Sequence, residues 1–173
     1  MTGATRLPLL FLDVDGPLLP YGAAAPRFPT GGAPSEPLWD DPDPFLTRLD
    51  PAHGPRLLAL PCELVWATAW TTDANDYLAP RLGLPQLPVV DWLEPSAEDL
   101  WSGLHWKTRT LVGWAAGRAF AWVDDELTDA DRDWVATHHP GPALLHRVDP
   151  ALGLTDTDFA TLDAWLRAQC VRR

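Results

Sequence analysis

Basic residues, cysteine and long apolar stretches are all scarce in this sequence. Thirteen Lys and Arg face 24 Asp and Glu in a chain of 173 residues, a formal net charge of −11. So acidic a surface repels a phosphate backbone at long range. That argues against nonspecific binding to long nucleic acid and leaves room for a local basic pocket. Lysine is the scarcest cation, with Lys107 its single example. The two cysteines, Cys62 and Cys170, supply neither a disulfide framework nor zinc-ligand spacing, and each reads as a packed or free thiol. The first apolar run, Leu7-Pro8-Leu9-Leu10-Phe11-Leu12, is closed by Asp13 too early for a signal-peptide core or a membrane span. These absences predict a soluble, cytoplasmic protein with no membrane partner.

What is present points to a globular domain. Hydrophobic residues make up 46% of the chain, too many for a disordered one. The length suits a single domain over residues 1–173. Ten tryptophans read mostly as core and rim packing, and the 19 prolines crowd towards the first third of the chain.

Leu7 to Val14 reads as a strand buried on both faces, as in a parallel sheet. Residues 17–44, rich in Pro, Gly and Ala, read as a loop or small flap. One or two short helices are expected over 45–60, and a second buried strand over 63–68. A helix follows over 73–82, ended by Gly83, and then a short strand over 87–90. Further on come a helix over 106–116, a strand over 119–123, a helix from Thr128 to about His138, a strand over 143–148 and a last helix opened by Thr155. Strands alternate with helices almost throughout. This predicts an α/β fold, a Rossmann-like parallel sheet with helices on both faces.

In such a sheet, ligands bind outside the carboxyl ends of the strands. The first strand ends in Asp13 and Asp15, the second in Thr68, and a later one in Asp124 and Asp125, while Lys107 opens a helix between them. Parallel strands bring these groups to one rim whatever their separation in sequence. Carboxylates from different strand ends suit a hard cation such as Mg²⁺. A carboxylate can attack phosphorus, a second carboxyl can serve as acid and then base, and a hydroxyl and an ammonium can hold phosphoryl oxygens.

In this order the residues resemble the haloacid dehalogenase (HAD) superfamily of phosphatases and phosphotransferases. The resemblance implies that Asp13 of Asp13-Val14-Asp15-Gly16 is the nucleophile and Asp15 the general acid/base. It makes Thr68 the phosphate-binding hydroxyl and Lys107 the cation that steadies nucleophile and phosphate. It gives Mg²⁺ to Asp13, the Asp15 carbonyl and Asp124, with Asp125 near the metal or the lysine; which of the last two is the ligand stays open. An Asp at position 15 favours phosphate chemistry over dehalogenation. The chain is also similar to a group of short, capless members. They carry Trp66-Ala67-Thr68-Ala69-Trp70, then Ala74-Asn75, then His105-Trp106-Lys107-Thr108, and are related to phosphatase domains of RNA-repair proteins.

Ala69, Trp70, Thr71 and Asn75 follow the second strand and are expected to line the substrate pocket. His105 is expected to be structural, and His138 and His139 to sit at a helix end where a cation suits the dipole. Asp129, Asp131 and Asp133 are expected to be a solvated helix start. Residues 69–106 leave no room for a large cap, which implies an open site. Three functions remain: a Mg²⁺-dependent phosphatase of a small phosphomonoester or nucleotide, a phosphatase of nucleic-acid ends, and a non-enzymatic binding module.

Overall fold

The computed structural model describes residues 6–22, 28, 45–93 and 103–171. Beyond Gly22, most of the stretch read as a flap lies outside the described residues.

Four strands build one parallel sheet: β1 (Leu9–Leu12), β2 (Glu63–Trp66), β3 (Phe120–Asp124) and β4 (Ala143–Arg147). Their order is β2-β1-β3-β4. The register pairs Leu12 with Trp66 and Val123, and Asp124 with Arg147, so the carboxyl ends of the central strands lie level. β1 and β3 are buried along their whole length. That is why they read as unbroken apolar runs rather than alternating ones.

Alternate residues face opposite sides. Leu10, Leu12, Trp66, Ala121 and Val123 pack with helices α1 (His53–Ala59), α2 (Ala79–Leu82) and α5 (Asp156–Val171). Leu9, Phe11, Val65, Phe120 and Trp122 pack with α3 (Thr108–Ala115) and α4 (Asp129–His138) on the other face. The α/β sheet with helices on both faces is therefore as expected. Burying so much apolar surface at roughly 25 cal/mol per Å² is the main term holding the layers together.

Local details depart from expectation. Residues 87–90 do not form a strand but make one isolated bridge, Trp66 to Val89. The helix expected over 73–82 begins as a π-turn, Ala74–Leu78, and becomes α-helical only at Ala79. Pro80 has no N–H to donate to the carbonyl four residues back, which favours a different turn here. Among the described residues no helix is long and apolar enough to cross a membrane.

Candidate active site

β1 delivers Asp13 to the rim, and the backbone then folds back at once. Leu18 and Leu19 N–H groups both donate to the Val14 carbonyl, at 3.0 and 2.9 Å. Gly16 makes this turn possible with φ +88°, and a Cβ there would sit 2.6 Å from Asp125 Cγ. The glycine is thus required twice, by its backbone angle and by the carboxylate against it.

Lys107 stands just ahead of α3 and is only 3% exposed. Its ammonium lies 2.9 Å from Asp13 Oδ2 and 2.9 Å from Asp124 Oδ2. Asp124, the last residue of β3, also accepts from Trp122 Nε1 at 3.2 Å and from the Glu126 N–H at 3.0 Å. Asp125 accepts from the Tyr21 hydroxyl. Carboxylate oxygens of Asp13, Asp124 and Asp125, all buried, come within 4.8 Å of one another.

Burial and the charge balance together set the direction in which each group is pushed. Burial drives the Asp13 carboxyl up to about 7; Lys107 pulls it down and Asp124 pushes it up. Burial alone would disfavour the Lys107 ammonium, but Asp13 and Asp124 hold it above its ordinary value. Burial also raises Asp125, against the hydrogen bond from Tyr21. Three acids share one cation, so the cluster as it stands carries more negative charge than is neutralised.

Thr68 follows β2 and is fully buried, with its carbonyl accepting from Trp92 Nε1 at 3.0 Å. Its hydroxyl oxygen accepts from the Trp70 N–H at 3.2 Å. Trp70 Nε1 donates to Asp15 Oδ2 at 3.0 Å, and Asp15 is exposed. Ala69 is exposed beside them. Asn75 is engaged elsewhere. Its Oδ1 accepts from Trp66 Nε1 and the Leu87 N–H, both at 2.9 Å, and its Nδ2 donates to the Leu87 carbonyl at 2.9 Å. The amide thereby ties the π-turn to the end of β2 and the segment beyond it.

The ring of His105 supports Lys107, accepting from its backbone N–H at 3.2 Å. Asp131, expected in solvent, is fully buried. It forms a capping box with Thr128 and accepts from Thr108 Oγ1 at 2.7 Å and the His105 N–H at 2.8 Å. One carboxylate therefore joins the starts of α3 and α4. His139 is buried on the Arg118 carbonyl, and burial disfavours its charged form, which works against a cation at the α4 terminus.

Two partners of the cluster were not singled out from sequence. Trp122 lies two residues before Asp124 on the same strand face, a period-2 signal that could have flagged it. Tyr21 reaches Asp125 across 104 positions, which no local pattern encodes.

Residues 9–159 match a family model described as the HAD domain in Swiss Army Knife RNA repair proteins. The chain belongs to this family. The match runs from the first residue of β1 into the first turn of α5. Neither a curated protein nor a solved structure matches the chain. Membership of the HAD family supports a phosphatase of the HAD type in general. It also agrees with the donor set found here. HAD domains typically use Mg²⁺, and a buried group of carboxylate oxygens with unbalanced negative charge fits a hard divalent cation.

Proposed function

We propose that the chain is a Mg²⁺-dependent cytoplasmic phosphatase that hydrolyses a phosphate monoester through an aspartyl-phosphate on Asp13. The observation that carries this reading is the Lys107 ammonium set 2.9 Å from both Asp13 and Asp124, inside a buried cluster of three acids. Such an arrangement is costly to fold unless a further cation completes it.

Asp13, Asp124 or Asp125, and the Asp15 backbone carbonyl would hold Mg²⁺. Bound there, the ion would offset the charge of a phosphate dianion and keep Asp13 ionised. A carboxylate oxygen of Asp13 attacks phosphorus, and the bond from phosphorus to the ester oxygen breaks. Asp15 gives its proton to the leaving oxygen. In the second half, Asp15 takes a proton from water, the water oxygen bonds to phosphorus, and the bond from Asp13 to phosphorus breaks to release phosphate. Thr68 and Lys107 hold the phosphoryl oxygens throughout. Ala69 and Trp70 border the approach, with Asn75 behind them.

The described residues after Thr68, up to Leu93, contain a π-turn, a four-residue helix and an isolated bridge. This supports an open site that admits a large or exposed ester. The substrate would be a phosphorylated small molecule or nucleotide. The family description favours a second reading, a phosphorylated nucleic-acid end. The test is turnover of phosphomonoesters and of 5′- and 3′-phosphorylated oligonucleotides, with and without Mg²⁺, beside Asp13→Asn. We expect metal-dependent phosphate release that Asp13→Asn abolishes. No metal-dependent turnover, or full activity in Asp13→Asn, would sink the reading.

A further inference from the structure

Trp70 touches two members of the site at once. Its backbone N–H donates to Thr68 Oγ1 at 3.2 Å, and its indole N–H donates to Asp15 Oδ2 at 3.0 Å. The ring is half-buried and packs against the core beneath β2. Asp15 is exposed, and an exposed carboxylate is free to change rotamer while water satisfies its oxygens. A ring held by core packing removes that freedom. The next residue, Thr71, has φ +49°, a left-handed angle unfavourable for a β-branched side chain. Strain of this kind persists where the surrounding contacts over-determine the backbone. Here the Thr71 N–H bonds the Thr68 carbonyl at 3.3 Å, and the Asp73 N–H bonds the Trp70 carbonyl at 3.0 Å. The turn that results aims the indole at the first acidic motif.

We propose that Trp70 is a positioning residue of the phosphatase reaction, its indole N–H fixing one oxygen of Asp15 so that the other faces the ester oxygen. Its backbone N–H fills a lone pair of Thr68 Oγ1, which leaves the hydroxyl proton for a phosphoryl oxygen. Trp70 neither gains nor loses a proton. As Asp13 bonds to phosphorus and the ester bond breaks, the proton moves from Asp15 to the leaving oxygen. The inference rests on the reading of Asp15 as acid/base.

The experiment compares Trp70→Phe with wild type in single-turnover phosphorylation and in steady state, using phenyl phosphate and p-nitrophenyl phosphate with Mg²⁺. With phenyl phosphate, whose leaving oxygen needs a proton, the phosphorylation step should fall roughly tenfold or more while KM stays nearly constant. With p-nitrophenyl phosphate, which leaves without a proton, that step should change far less. Trp70→Phe added to Asp15→Asn should cause no further loss. Replacement of Trp70 by 3-benzothienylalanine, which puts sulfur in place of the N–H, should reproduce the effect with the ring retained. Equal losses for both esters, or a full additional loss in the Asp15→Asn background, would overturn the proposal. So would wild-type rates in Trp70→Phe and the benzothienyl protein while Asp15→Asn is impaired. Asp15→Asn as fast as wild type overturns the acid/base reading and this inference with it.

Discussion

Lys107 stands between two buried carboxylates, and its removal exposes what each of them costs. In Lys107→Met the oxygens of Asp13 and Asp124 would lose the ammonium now 2.9 Å from each. A buried ion pair broken on one side destabilises by about 3–5 kcal/mol, because the remaining charge is left uncompensated. We expect a loss of about 3 kcal/mol in urea unfolding of metal-free protein at neutral pH, together with loss of turnover. Lys107→Met in an Asp13→Asn background should be milder, since one of the stranded charges is then absent. Equal losses in the two backgrounds would mean that Lys107 acts through its packing alone.

At the scale of the element, the start of α4 has a task beyond its own helix. Asp131 closes the Thr128 capping box and also holds Thr108 and the His105 backbone, and so the approach to Lys107. Burial acts to raise its carboxyl, but the hydrogen bonds from Thr108, Thr128 and His105 outweigh it and hold the group below its ordinary value. A carboxyl lowered in the folded state adds stability above the unfolded value of ~3.9, and that stability is lost as pH falls towards the folded value. Asp131→Asn should therefore lose roughly 2 kcal/mol at pH 7 and progressively less as pH falls below ~3.9, measured by urea unfolding across that range. A penalty independent of pH would show that the carboxylate charge is not what matters.

The same element shows where sequence reading stops. β1, β2 and β3 were legible because strands buried on both faces leave unbroken apolar runs, and the polar residues that end them mark the rim. Asp131 was not, since an acid in the first turn of a helix carries the same local signal whether it faces water or a neighbouring helix. Residues 87–90 failed for a related reason: apolar side chains record burial, and only backbone pairing makes a strand. Asn75 sits in a π-turn with its amide bonded to Trp66 and Leu87, and a period-3.6 reading cannot anticipate that turn.

For the whole molecule, a cation held by the acid cluster, as proposed, would make stability depend on it. A ligand that binds only the folded state adds about 2.7 kcal/mol at a hundredfold excess over its Kd. Thermal unfolding should shift upward with added Mg²⁺, return on chelation, and lose the response when Asp124 and Asp125 are both changed to Asn. An unfolding temperature indifferent to Mg²⁺ would contradict a metal centre at Asp13, Asp124 and Asp125. The net charge of −11 opposes long polyanions by general repulsion, so under the second reading a nucleic acid would be held at its end rather than along its backbone. The scarcity of lysine has a practical corollary. The chain's one ε-amine is locked between two acids in the buried cluster, so acylating or aldehyde reagents find no lysine on the surface. Modification of that amine becomes a direct gauge of whether the cluster is intact or has come apart.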